Sequence, residues 1–387
     1  CTLNYWVPVS HHYSHRGAVG NGSFDKYAEA VKSKKGTIRI DEAFLADIEK
    51  WRDVLARNIA LRTPDLSVRE LNYAVQATID RIIFLRICED RGIERDGQLQ
   101  ELLEGKDIYE GLIRLFQKAD ARYNSGLFHF KDEKEQSSPA DSFTLKLKID
   151  DKALKEILEK MYPPSPYMFK EIPIEILGKI YEQFLGKVIR LTPSHQAKVE
   201  VKPEVRKAGG VFYTPTFIVL YIVINTLGKL LIGLTPKEAA KLKIVDPACG
   251  SGTFLLAAYQ YLLDWHLTWY ADAEHDPEKW TTGKKPALYL SKDGYRLTGA
   301  KKKEILLNNI YGVDIDAQAV EVTKLSLLLK VLEDESNETI GSQLALFQER
   351  VLPDLGKNIK CGNSLIGHDY WEGQLVTQEE KDRVNAF

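Results

Sequence analysis

The sequence predicts a mainly α-helical domain followed by an α/β domain built on a parallel sheet. Three observations carry this reading. Apolar residues recur at helical spacing from Asp41 to about residue 161. A proline-rich break, Tyr162-Pro163-Pro164-Ser165-Pro166, then stops any helix, because proline lacks the N–H and clashes with the preceding turn. From about residue 240 short apolar strands alternate with helices, the rhythm of a parallel sheet. The expected divisions are an unassigned segment 1–40, a helical domain 41–165 and an α/β domain 166–387.

Within the helical part, Phe44, Ile48, Trp51, Leu55 and Ile59 fall on one face of a first helix. A second helix opens with Ser67-Val68-Arg69-Glu70, which has capping-box form, and closes at Gly92, a plausible left-handed stop. Further helical patterns cover about 98–119 and 150–161, separated by the charged loop 131–142. Pro173 starts another amphipathic helix with Ile174, Leu177, Tyr181, Phe184 and Val188 on one side. The apolar run Phe217 to Leu234 holds Asn225, Thr226, Gly228 and Lys229, and reads as a buried core helix rather than a membrane span. Residues 287–298 read as a hairpin turning at Asp293-Gly294.

Composition excludes some classes. A hydrophobic fraction of 44% with 28% charged residues describes a globular chain with a sizeable core. The net charge of −2 offers no overall basic signature, although residues 279–303 carry eight Lys/Arg against the single acid Asp293. That stretch suits nucleic-acid phosphates, and an ordinary solvated surface accounts for it as well. The first forty residues, with His11, His12, Tyr13 and His15 and the run Lys32-Ser33-Lys34-Lys35, show no clear periodicity and read as a surface segment. Cys1, Cys88, Cys249 and Cys361 form no CxxC pair and no metal-ligand spacing is visible, so neither a metal site nor a disulfide framework is expected. With no signal peptide, a reducing cytoplasm is the expected setting.

The segment that carries chemistry is Lys243-Ile244-Val245-Asp246-Pro247-Ala248-Cys249-Gly250-Ser251-Gly252-Thr253-Phe254-Leu255-Leu256. It reads as strand, glycine-rich turn and helix. Gly250 and Gly252 let the backbone turn tightly and approach a ligand, and the helix N-terminus offers free N–H groups. A dinucleotide fingerprint would place a third glycine where Leu255 stands, which argues against that cofactor. The second element, Asn309 to Asp316, reads as a strand ending in acids. Asp314 at its end can accept both hydroxyls of a ribose, whereas Asp316 reads as the N-cap of the next helix.

DPACGSGTFL followed by YGVDID resembles the first two cofactor motifs of the N6-adenine DNA methyltransferases. Gly209-Gly210-Val211-Phe212-Tyr213-Thr214-Pro215 is similar to the motif that precedes them in the gamma class. Ile359-Lys360-Cys361-Gly362-Asn363-Ser364-Leu365 is similar to the third-strand motif. The helical part, with DRIIFLRICEDRGI and ILGKIYEQFLG, resembles the connector of type IIG restriction–modification enzymes, over roughly residues 40–387 in all. The resemblance implies a Rossmann-like methyltransferase sheet, incomplete at its C-terminus, that binds S-adenosyl-L-methionine. It implies that Tyr213 and Thr214 close over the methionine end, and that Asp246, Ala248 and Gly250, with Gly252 in the same turn, line the amino-acid moiety. Asp314 would hold the ribose, Ile315 would pack on the adenine, and Asn363 would approach the adenine amine with Leu365 close by. The family more often has aspartate where Asn363 stands; an amide oxygen still accepts from an amine.

The implied partner is double-stranded DNA with its target adenine flipped out. The family's Asn/Asp-Pro-Pro-Tyr/Phe tetrapeptide is missing: Tyr162-Pro163-Pro164-Ser165 precedes the cofactor motifs and has tyrosine where asparagine belongs. No catalytic residue is therefore assigned, and the chain by itself is expected to be inactive. Glu200-Val201-Lys202 and Asp132-Glu133-Lys134 contain nuclease-like letters but are expected in loops. Two alternatives stay open. One is the modification subunit of a multi-subunit restriction system, with separate specificity or nuclease chains. The other is a non-catalytic nucleoside-binding assembly module.

Overall fold

The computed structural model describes residues 40–123, 126–131, 140–165, 185–208, 214–283, 285–335 and 351–366, with positions 167, 169, 170, 172, 174, 178, 180 and 181. The chain divides into two compact units, Cys1–Ala43 and Phe44–Phe387. Only residues 40–43 of the first unit are described, as the opening of α1; every other described residue belongs to the second. The His11–His15 and Lys32–Lys35 clusters and the Asp132-Glu133-Lys134 motif lie outside the described residues.

Helix α1 (Ile40–Arg62) buries Phe44, Ile48, Trp51, Leu55 and Ile59, each at most 1% exposed, on the face expected of it. Helix α2 (Val68–Asp90) begins with the expected capping box. Glu70 N donates to Ser67 Oγ at 3.2 Å, and Ser67 N donates to Glu70 Oε2 at 2.9 Å. It ends at Arg91, with Gly92 next at φ 67°. Almost every residue of α2 from Leu71 to Glu89 is buried, so it is the axis of the helical part. Its buried cations are fully engaged: Arg81 donates to Leu127 O, Thr144 Oγ1 and Asp141 Oδ2 at 2.7–2.8 Å. The helical pattern expected over 98–119 is two pieces. One turn spans Gln98–Glu101, and α3 (Ile108–Tyr123) starts afresh where Asp151 accepts Ile108 N at 2.8 Å. Helix α4 (Asp151–Glu159) comes after it.

The helix expected to reach Val188 stops earlier. The last described helical residue is Leu185, and Lys187–Leu191 is strand β1, antiparallel to β2 (Ala197–Val201). The alternating Val188-Ile189-Arg190-Leu191 and the turn at His195, φ 58°, are strand and turn signals that the helical reading overran. Glu200 and Val201 lie in β2 rather than in a loop, and Lys202 comes directly after.

After α5 (Pro203–Ala208) and α6 (Thr216–Leu230) comes β3 (Ile244–Asp246). It leads through α7 (Thr253–Ala271), the hairpin β4 (Leu288–Ser291)–β5 (Gly294–Leu297) and α8 (Gly299–Asn309) to β6 (Ile310–Asp314). Helix α9 (Ala317–Val331) crosses to β7 (Ile359–Cys361). The three strands form a parallel sheet in the order β3-β6-β7, with Asp246 opposite Gly312 and Asp314 opposite Cys361. The expected α/β rhythm and the hairpin at Asp293-Gly294 are both present. Among the described residues, no helix is long and apolar enough to cross a membrane.

Helix α6 corrects an expectation. It forms, but only Val219, Val223 and Leu227 are buried, the stripe facing α7, while Phe217, Tyr221 and Leu230 are 72%, 68% and 61% exposed. Hydropathy reports that such a helix favours burial; it does not supply the element that would cover its other faces.

The side chain of Asn72 clamps the hairpin β1–β2 to α2. Asn72 Nδ2 donates to Ile189 O at 2.8 Å, and Ile189 N donates to Asn72 Oδ1 at 3.0 Å, both buried. Asn72→Ala leaves both backbone groups unpaired and should cost about 2–4 kcal/mol, read from urea unfolding. A second buried side chain, a carboxylate, sets a pH dependence. Asp80 accepts Tyr181 Oη at 2.6 Å and both of its oxygens accept Gln76 Nε2. Burial nevertheless pushes its carboxyl up to about 7. A carboxyl raised in the folded state contributes stability that is present below the unfolded value of about 4 and is lost as pH rises through about 7. The unfolding midpoint of Asp80→Asn should therefore vary less across that window than the wild type's.

Candidate cofactor-binding site

The three strand ends meet at the glycine-rich turn. Gly250 sits at φ 53° and Gly252 at φ 85°, conformations that disfavour a side chain. A Cβ on Gly252 would come within 2.8 Å of Thr323 Cγ2, and Thr323 Oγ1 donates to Gly250 O at 2.8 Å. The turn is latched to β6 by Cys249 N, which donates to Val313 O at 2.9 Å. Gly250 N donates to Asp314 Oδ2 at 2.8 Å. The N-cap of α7 is Gly252, which has no side chain to cap the first turn. Its leading N–H groups thus keep their capacity for an acceptor.

Asp314 is oriented from both sides. Besides Gly250 N, the N–H of Asp316 donates to Asp314 Oδ1 at 2.8 Å. Each carboxylate oxygen retains a lone pair for another donor. Asp246 stands half-buried beside it and accepts Ala248 N at 3.1 Å. Burial raises the Asp246 carboxyl above its ordinary value and the charge of Asp314 adds to the rise, against the Ala248 bond. Asp316 behaves as expected of an N-cap: its Oδ1 accepts Gln318 N at 3.0 Å.

On the β7 side, Gly362 N donates to Asp314 O at 2.9 Å, which brings Asn363 alongside. Asn363 Oδ1 accepts Leu365 N at 3.0 Å. Ile315 is 63% exposed and Leu365 is 91% exposed, two apolar side chains left largely open to solvent. The hydrogen bonds therefore bring Gly250, Asp314 and the Asn363 turn together, with Asp246 and Ala248 on the adjoining strand end. Thr214 is half-buried before α6, and among the described residues no hydrogen bond joins it to this group. Tyr213 and the four residues before it, Gly209 to Phe212, lie outside the described residues.

Sequence reasoning missed Gly312. A Cβ there would meet Leu255 Cδ1 at 2.7 Å and Cys249 Sγ at 3.1 Å. The glycine inside a strand pattern was the available signal. It admits Leu255, the residue that argued against a dinucleotide fingerprint, onto the sheet.

The basic stretch 279–303 is largely engaged within the fold. Lys302 is buried and donates to Glu333 O at 2.5 Å; Arg296 pairs with Asp334 at 3.0 Å and Lys301 with Glu304 at 2.8 Å. Lys285 and Lys303 also have partners, while Lys284 lies outside the described residues. Lys202 of the Glu200-Val201-Lys202 motif forms an ion pair with Asp316. Among the described residues, no three His, Cys, Asp or Glu side chains converge as a metal site.

Residues 229–386 match the family described as MmeI, DNA-methyltransferase domain. The chain is similar to the DNA methyltransferases of restriction–modification enzymes. It is 34% identical over 373 residues to the type II restriction enzyme and methyltransferase RM.Eco57I of Escherichia coli, covering 96% of this chain and 34% of that protein. It is 26% identical over 349 residues to the putative type II restriction enzyme and methyltransferase RM.MjaORFECS2P of Methanocaldococcus jannaschii, covering 75% and 27%. Among solved structures, the cryo-EM structure of the DrdV–DNA complex gives a TM-score of 0.35 at 16% identity, over 96% of this chain and 28% of that one. The chain thus spans about a quarter to a third of the length of these two relatives.

Gly252→Ala combines a positive φ with a contact against the fully buried Thr323 and should destabilise the fold by about 1–3 kcal/mol, measured by urea unfolding.

Proposed function

We propose that this chain is the cofactor-binding portion of an S-adenosyl-L-methionine-dependent DNA (adenine-N6) methyltransferase, with a helical connector over 41–165 and a Rossmann-like methyltransferase domain over 166–387. The observation that carries the reading is the oriented Asp314 carboxylate flanked by the uncovered Ile315 and Leu365. That combination fits an adenosine: two hydroxyls for a carboxylate with spare lone pairs, and a ring to cover exposed apolar side chains. Asp246, raised by burial beside a second acid, fits a ligand ammonium, which would relieve the crowding of negative charge. Ala248, Gly250 and Gly252 would line the amino-acid moiety with Tyr213 and Thr214 closing over it. Asn363, its oxygen still able to accept a second bond, would meet the adenine amine. When bound, the cofactor supplies an electrophilic methyl group; the residues of this chain hold and orient it. In the parent protein the substrate would be a flipped adenine of double-stranded DNA, and the restriction-enzyme names of the relatives support a fused or associated endonuclease.

The target amine lacks its activating residues here. Tyr162 of the Tyr-Pro-Pro-Ser stretch lies in the helical part, 5% exposed, donating to Glu89 Oε2 at 2.5 Å. Placing and polarising an amine needs acceptors that this stretch does not offer. The chain should therefore transfer no tritiated methyl group to mixed-sequence duplex DNA, and incorporation clearly above a no-protein control would overturn that.

Calorimetry should show saturable binding of S-adenosylmethionine and none of NAD. Asp314→Ala should weaken it by about 1.5–3 kcal/mol, the scale of hydrogen bonds to a charged group. Binding of NAD alone would sink the cofactor assignment.

A further inference from the structure

Lys202 closes the β1–β2 hairpin, with its N–H donating to Gly186 O at 2.9 Å. Its ammonium forms an ion pair with Asp316 Oδ2, the two side chains being 20% and 27% exposed. Asp316 spends its other oxygen on the N-cap of α9. One carboxylate thus ties the start of α9 to a hairpin that is itself clamped to α2 through Asn72.

A second cation reaches the same place. Arg52 of α1, 1% exposed, donates through Nη2 to Lys187 O at 3.0 Å and to Gln318 Oε1 at 3.5 Å. Burial pulls its guanidinium down to about 10, while the negative charges of Asp316 and Glu49 work against that fall. The turn Asp314–Gln318 is therefore gripped on one side by β6 and on the other by two cations from outside the sheet. The grip reaches the cofactor site in one step, because Asp316 N is the donor that orients Asp314 Oδ1.

We propose that Lys202, supported by Arg52, is a positioning residue for the adenosine end of the cofactor, holding the Asp314–Asp316 turn so that the Asp314 carboxylate and the Ile315 side chain are presented together. This rests on the reading of Asp314 as the acceptor of the cofactor's ribose. An ion pair serving stability alone would hold the hairpin to α9 without altering ligand affinity. A positioning pair alters affinity because a released Asp316 lets its own N–H swing away from Asp314.

The test is calorimetric titration of the chain with S-adenosylmethionine at fixed ionic strength, together with thermal unfolding without ligand. Asn caps helices as well as Asp does, so Asp316→Asn removes the charge and keeps the cap. Lys202→Met keeps the stem and removes the ammonium, and Lys202→Arg restores a cation. Lys202→Met and Asp316→Asn should each weaken binding about five- to tenfold, and the double variant no more than either alone. Lys202→Arg should stay within about twofold of the wild type, since a guanidinium can take the same partner. A lowered unfolding midpoint with unchanged affinity in Lys202→Met overturns the proposal, as do additive losses in the double variant. If Asp314→Ala weakens binding as expected while both charge-removing variants bind normally, the positioning role falls and the cofactor reading stands. A wild-type chain that binds no S-adenosylmethionine overturns both.

Discussion

Two backbone N–H groups from different parts of the chain, those of Gly250 and Asp316, converge on the carboxylate of Asp314. A part-buried carboxylate must be solvated by something, and here the fold itself supplies the donors. The consequences spread outward. Gly250 takes a positive φ so that its N–H can face β6, and Gly252 follows at φ 85° to start α7. The latch of Cys249 on Val313 then brings the mouth of the turn over the end of the central strand. With Asp246 beside Asp314, two acids share one rim, so the site combines negative charge with the uncapped N-terminus of α7.

The helical part meets the α/β part through individually small contacts. Asn72 satisfies both backbone groups of Ile189, Arg52 bridges Lys187 O and Gln318, and Arg91 Nη1 donates to Leu329 O at 3.4 Å. Each is a side chain satisfying a buried or part-buried backbone or amide group, the kind of contact whose loss costs more than its formation contributes. Helix α9, buried from Val322 to Val331 apart from Lys324, is therefore not only the crossover after the ribose-side acid. It is the surface on which the helical part rests, so the orientation of the cofactor turn and the seating of the helical part are set by the same residues.

Periodicity and hydropathy misled for more than one reason. The expected helix through Val188 gave way to a strand whose local signals the helical period overran, and Asn72 of α2 supplies the hydrogen bonds that hold it in place. Helix α6 formed where expected yet left Phe217 and Tyr221 in solvent, since an apolar surface records a preference for cover without naming it. The basic stretch 279–303 went the other way: its charges looked available in sequence, but Arg296, Lys301 and Lys302 spend theirs on Asp334, Glu304 and Glu335.

What the sequence determined by itself was whatever depends on neighbours in the chain. The capping box at Ser67 and Glu70, the stop at Gly92, the hairpin at Asp293-Gly294 and the strand–turn–helix around Gly250 and Gly252 all arise from backbone preferences within a few residues. The order of the motifs, and with it the family, was legible for the same reason. The separate roles of Asp314 and Asp316 were also legible, but only the tertiary structure decided which backbone donors hold the Asp314 carboxylate, why Gly312 must lack a side chain, and where the charge of Lys202 goes. Asp314 and Asp316 are both aspartates at the end of an apolar strand. They differ because Gly250 lies 64 residues away along the chain from Asp314 and Lys202 lies 114 residues away from Asp316, and folding brings one to each.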